Sequence, residues 1–350
     1  MKALLSKYKK IDRNKSAATA AIEADGGSSS VVPAAKRPRT ADHSPPPTDG
    51  AFRIVFQCLE GSVTHYYHFF YGAMIPLILH HLENPSAVYR ILTDIGPMKR
   101  VLCELPLNVI EFKGPEHVGA LGKFHDDKSL RRAVAPGETV VQAYDAYNSE
   151  FYRDEYVQKL SKTRMRKILQ FFEDTMPEYV RSIPTYEVIL IERATDSYYR
   201  AGCPDRTQIY KSSGAERRSL SNHVELVATL SAKYGSKFCN IVLERSSIYY
   251  QYHMFRNAKV VIAQHGAALA NIIFMSNPSG SPSKTDADRP SGTVVEISPP
   301  WSRQSEHFRN LAEGCGVAHS SILQTADHSD VDINGVMRCV EGVFKTPPAI

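Results

Sequence analysis

The sequence predicts an α/β protein built from two Rossmann-like, doubly wound lobes, and three observations carry that expectation. Apolar β-type runs alternate with helix-type runs in both halves of the chain, as in a parallel sheet wrapped by helices. At 350 residues the chain exceeds a usual single domain, and a hydrophobic content of 43% is enough for a sizeable core. One apolar run, residues 259–263, ends abruptly in Gln264-His265-Gly266-Ala267 and continues as a helix-type segment, a strand–turn–helix of the kind that cradles phosphate.

Residues 1–50 stand apart. They carry Gly26-Gly-Ser-Ser-Ser, Lys36-Arg37-Pro38-Arg39 and Ser44-Pro-Pro-Pro47, a low-apolar composition that predicts a disordered tail. The basic cluster reads first as a solvated tail, with nuclear targeting as the alternative. The first lobe spans 51–182, with strands at 52–58, 88–92 and 107–112, a helix at 74–81 and a bridging helix over 155–174. The second lobe spans 183–325. Strands are predicted at 187–191, 237–243, 259–263 and 293–297, with helices at 223–234, 249–256 and 267–275. Residues 276–292 contain turn-formers and read as an inserted surface loop. Residues 326–350 end the chain with a helix, apolar at Ile333, Val336, Met337, Val340 and Val343, expected to pack back across the lobes.

Composition narrows the function. A net charge of +5 is small for this length and suits an anionic substrate better than a nucleic-acid footprint. The six cysteines form no Cys-x-x-Cys pair, which argues against zinc and redox motifs and leaves buried free thiols as the expected state. The N-terminal segment lacks the apolar stretch of a signal peptide, and no apolar run reaches the ~18 residues of a membrane span. A cytoplasmic protein is expected.

The helix start after His265-Gly266-Ala267 offers unpaired N–H donors and the positive end of the peptide dipoles to an anion. Around it stand Val188-Ile-Leu-Ile-Glu192-Arg193, Arg217-Arg218-Ser-Leu-Ser-Asn222-His-Val-Glu225-Leu226, Glu244-Arg-Ser-Ser-Ile-Tyr-Tyr-Gln251 and Thr293-Val-Val-Glu296. Together these segments resemble glycosyltransferase family 61, over residues 187–316 with a weaker echo at 64–78. The resemblance implies a GT-B architecture, two facing lobes with a nucleotide-sugar site in the cleft. It also implies a UDP-sugar donor, a glycan or glycoprotein acceptor, and inverting transfer of a sugar, xylose in the first instance. UDP-N-acetylglucosamine or an arabinose donor are the alternatives, and a non-catalytic nucleotide- or glycan-binding module is the alternative from another class.

Within that resemblance Arg193, one or both of Arg217 and Arg218, Asn222, His265, Gly266 and Ala267 are expected to hold the diphosphate and nucleotide. Glu296 is expected to accept hydrogen bonds from ribose. Arginine forks and helix N–H groups can stabilise a departing diphosphate, so no metal is expected. The triplets Asp286-Ala-Asp288 and Asp330-Val-Asp332 lie in a loop and ahead of the last helix, places unsuited to a catalytic metal. In Thr64-His65-Tyr66-Tyr67-His68-Phe69-Phe70-Tyr71-Gly72, Phe69 and Gly72 stand where plant members of the family carry acids. His68 is therefore the expected catalytic base, with Asp94 as the second candidate.

Overall fold

The computed structural model describes residues 52–55, 66–91, 95, 98–112, 140–142, 162–194, 215, 218–244, 246–276, 292–302 and 306–345; the 1–50 tail, including Lys36 and Arg39, lies outside them. The first half runs β1 (Phe52–Val55), α1 (Tyr66–Phe69), a π-helical turn (Phe70–Met74) and α2 (Ile75–Glu83). It continues through β2 (Tyr89–Ile91), α3 (Lys99–Glu104), β3 (Val109–Phe112) and β4 (Val140–Gln142). These strands pair in parallel in the order β3-β2-β1-β4. α4 (Lys162–Thr175) and α5 (Glu178–Arg181) lead to the second half.

There β5 (Val188–Glu192), β6 (Ser219–Leu220), α6 (His223–Tyr234), β7 (Phe238–Val242), α7 (Ile248–Asn257) and β8 (Val260–Gln264) follow in turn. Then come a 3₁₀ helix (Ala267–Met275), β9 (Thr293–Ser298), a 3₁₀ turn (Pro300–Ser302), α8 (His307–Gly314), β10 (Ala318–Leu323), β11 (His328–Ser329) and α9 (Ile333–Lys345). Five strands form a parallel sheet in the order β7-β5-β8-β9-β10, and β6 pairs with β11. Chain order reverses between β5 and β8, which is the Rossmann-like, doubly wound pattern that the sequence predicted.

Strand alternation builds the layers. Val188 and Leu190, Val260 and Ile262, and Val295 and Ile297 face one core with Leu226 and Leu230 of α6 and Val336 and Val340 of α9. Ile189 and Ile191, Val261 and Ala263, and Val294 face the other, with Tyr252 and Phe255 of α7 and Ile272 and Phe274 of the 3₁₀ helix. α6 ends at Gly235, whose φ of 52° lies in the left-handed region that glycine enters without steric cost. Two oxygens cap α7: Ser247 Oγ accepts from the N–H of Tyr250 at 3.0 Å, and Glu104 of α3 accepts from the N–H of Ile248 at 2.7 Å.

The two halves of the chain meet in one buried cluster. Phe70 and Tyr71, in the π turn, belong to the same buried cluster as Ile191, Val261 and Phe274. Phe274 meets Phe70 at 5.5 Å and Phe172 of α4 at 4.9 Å, and Phe172 stacks on Tyr252 at 5.1 Å. Aromatic side chains from four segments thus share one core, because each helix has a single apolar stripe to bury. Among the described residues α9 packs on the second sheet and α6, where Lys233 pairs with Glu341 at 3.1 Å. Cys315 is a buried thiol, whereas Cys103 is exposed, contrary to the expected burial. No helix among the described residues is long and apolar enough to cross a membrane.

Candidate functional site

Open α/β sheets bind ligands beyond the carboxyl ends of the strands, at the point where strand order reverses. In the second sheet that point lies between β5, which runs into Arg193, and β8, which runs into His265 and Gly266. Arg193 Nη1 donates to the carbonyl oxygen of His265 at 3.2 Å, and Arg218 Nη1, arriving from ahead of β6, donates to the same oxygen. Gly266 lets the Arg193 guanidinium come close. A Cβ on it would lie 2.9 Å from Arg193 Nη1, well inside van der Waals contact. The 3₁₀ helix begins at Ala267, and Gly266 supplies the carbonyl that accepts from Leu269 N–H at 3.0 Å. Two guanidiniums and a helix start therefore meet at one turn, an arrangement suited to a polyanion.

Parity along the strands sets which side chains reach this place. His265, Glu296 and Arg193 continue the face of Ala263, Val294 and Ile191. Glu296, 3% exposed, receives His265 Nδ1 at 2.5 Å on one carboxylate oxygen and His319 Nε2 of β10 at 2.8 Å on the other. Burial works to raise its pKa, but the hydrogen bonds and charges of the two histidines outweigh burial and bring it to about 2. The carboxylate fixes the proton of His265 on Nδ1, which sets the ring's orientation and tautomer. Glu296 was expected to meet ribose; its oxygens instead hold two histidines.

Aromatic rings wall the turn. His265 meets Trp301 edge-on at 5.2 Å and Phe308 of α8 at 5.0 Å, and Arg218 lies 4.6 Å from the centre of the Trp301 ring. Tyr67 of α1 packs on His307 at 4.7 Å and on Phe308 at 6.0 Å. Tyr66 donates toward Asn271 at 2.8 Å, and Tyr71 donates to the Ala270 carbonyl at 2.7 Å. α1 is thereby moored to the 3₁₀ helix that starts at the candidate site. Its backbone includes His68, whose side chain lies outside the described residues.

The structure thus gathers Arg193, Arg218, His265, Gly266 and Ala267. Asn222 acts elsewhere in the fold. Its amide donates to the Val331 carbonyl at 2.9 Å and accepts from the Val331 N–H at 3.0 Å, tying the start of α6 to the chain ahead of α9. Arg217, Asp94 and the Asp286–Asp288 triplet lie outside the described residues. Asp330 and Asp332 are exposed, with Val331 buried between them. Phe69 and Gly72, which replace the acids of the plant sequences, are buried in the core, where a carboxylate would be costly. Sequence reasoning missed His319, Phe308 and Trp301; the helical spacing of Phe308, Leu311 and Ala312 was a signal that could have found α8, whereas His319 lies in a strand start without β-branched residues and Trp301 in a three-residue turn.

A basic turn at the carboxyl edge of a doubly wound parallel sheet is an arrangement found in many α/β proteins that bind anionic ligands. Comparison with known families specifies the class further: the model of the family Glycosyltransferase 61 matches residues 66–281, more than half of the chain. The chain belongs to glycosyltransferase family 61, whose activity implies a sugar donor and a glycan acceptor. A search of curated proteins gives no match.

Proposed function

We propose that the protein transfers a sugar from a UDP-sugar, xylose in the first instance, to a hydroxyl of a glycan, with inversion and without a catalytic metal. UDP-N-acetylglucosamine and arabinose donors remain the alternatives. The convergence of Arg193 and Arg218 on the carbonyl of His265, at the reversal point of the second sheet, carries this reading. Arg193 is partly exposed and would grip the diphosphate directly. Arg218 is 3% exposed and would act from behind, through a charge little screened by water. Together with the N–H groups of the helix start, these arginines would stabilise the charge that develops on the departing diphosphate, as a metal does in other transferases.

Inversion requires a base beside the acceptor hydroxyl. His68 on α1 is the proposed base, with Asp94 the second candidate, and the mooring of α1 by Tyr66, Tyr67 and Tyr71 supports an acceptor approaching from that side. Two parallel sheets, the second wound about the basic turn, support a GT-B reading with the nucleotide bound by the second half. A non-catalytic binding module is the competing reading, and the buried Phe69 and Gly72 favour it.

Release of UDP from a panel of UDP-sugars with glycan acceptors and EDTA present separates these readings. Turnover of one donor that persists in EDTA and is lost in Arg193→Ala and His68→Ala is the expected result. UDP binding with no turnover of any donor would support the module. Turnover abolished by EDTA and restored by a divalent cation would overturn the metal-free mechanism.

A further inference from the structure

Trp301 is the only tryptophan of the chain, and it stands as a fixed, open plate beside the basic turn. Its indole N–H donates to Asp327 Oδ1 at 2.9 Å, and the His265 ring abuts it at 5.2 Å with the two planes at 84°. The Arg218 guanidinium lies 4.6 Å from the ring centre. Arg218 is 3% exposed and Trp301 is 53% exposed, so the guanidinium sits on the inner face and the outer face is open. Indole has the largest aromatic face of any side chain, and a ring left this open yet held at its N–H, its edge and one face is a ready stacking surface.

We propose that the outer face of Trp301 stacks the nucleobase of the donor, uracil in a UDP-sugar. This rests on the donor-site reading above. The same two residues, Arg218 and His265, touch both the indole and the turn assigned to the diphosphate. A nucleobase is joined to its diphosphate through one ribose, so its plane must settle close to the phosphate cradle. The transferred sugar hangs from the other phosphate and must leave toward the acceptor, while the base stays in place through turnover. A rigid aromatic plate suits the part that stays.

Because Trp301 is unique, tryptophan emission reports on this ring alone. The full-length protein is titrated with UDP and, separately, with inorganic pyrophosphate, and each titration is repeated by calorimetry. UDP is expected to quench the emission, and pyrophosphate to bind without quenching. Trp301→Ala should weaken UDP binding roughly ten-fold while leaving pyrophosphate affinity in place, and Trp301→Phe should recover most of the loss. Retained pyrophosphate affinity also shows that the variant is folded. UDP binding with unchanged emission and equal affinity in Trp301→Ala would overturn the proposal. So would an equal loss for UDP and pyrophosphate, which would mean that the ring only supports Arg218, or a loss seen with UDP-sugars and not with UDP, which would make the plate a sugar site. A wild-type protein that does not bind UDP would instead remove the donor-site reading itself.

Discussion

The two faces of the second sheet are made by alternate residues of the same strands, yet they finish differently. On the face covered by α6 and α9, Val260 and Ile262 are followed by Gln264, whose amide donates to Gln324 at 3.1 Å, and Gln324 donates in turn to the carbonyls of Ser219 and Ser329. That face closes in neutral amides that satisfy one another and anchor the β6–β11 pair. On the opposite face Val261 and Ala263 are followed by His265, with Glu296, His319 and Arg193 beside it. Both faces are equally apolar in mid-strand, so what distinguishes them is the last residue of each alternation. A shift of one residue in register would exchange the two.

Substitutions on the two faces should separate stability from binding. The largest effects are expected at Glu296 and Leu230. The Glu296 carboxyl sits at about 2 in the folded chain against 4.5 for the free side chain, so it contributes stability that is complete above about pH 5 and is lost as pH falls through 4.5 toward 2. The contribution is about 3 kcal/mol. Urea unfolding of Glu296→Gln across this range should show a lower plateau at neutral pH and a flatter acid limb. An acid limb identical to that of the wild type would deny the carboxylate its place between the histidines.

Leu230→Ala, in the fully buried helix-covered core, should cost a similar 2–5 kcal/mol of stability, while the folded fraction keeps its UDP affinity. Arg193→Ala reverses that pattern. Losing a charged hydrogen-bond donor to the diphosphate should weaken UDP by about 2 kcal/mol, roughly thirty-fold, with little change in the unfolding midpoint. The smallest change is expected from Gly266→Ala, which must push the Arg193 guanidinium aside. Since only the far end of a flexible side chain has to move, calorimetry should show a loss of UDP affinity of no more than about 1 kcal/mol.

Much of this contrast was legible in the sequence. The abrupt change at His265-Gly266-Ala267 located the basic turn, and the position of Arg193 directly after a strand placed it at the carboxyl edge. The helix that follows proved to be 3₁₀ rather than α, a difference of hydrogen-bond spacing that an apolar run does not encode. Between Arg217 and Arg218 the sequence could not choose; the guanidinium of Arg218 lies over Trp301, and Arg217 is outside the described residues. Glu296 was read as facing a ligand because its partner His319 lies 23 residues further on, in a strand whose Ala318-His319-Ser320-Ser321 start carries no β-branched residue. Asn222 was read as a ligand contact, and its two bonds to Val331 span 109 residues. Contacts at such separation follow from strand order, which local pattern does not reveal.

The most direct test of the account titrates UDP calorimetrically into the wild type, Arg193→Ala and Ile262→Val. Ile262 faces the helix-covered core from the middle of β8, the strand that ends at His265, and the change to Val removes one methylene at a cost of about 1 kcal/mol in stability. The account predicts a roughly thirty-fold weaker UDP affinity in Arg193→Ala and an unchanged affinity in Ile262→Val. Equal affinity in all three proteins, or a loss in Ile262→Val as large as that in Arg193→Ala, would contradict the placement of the donor site on the histidine face.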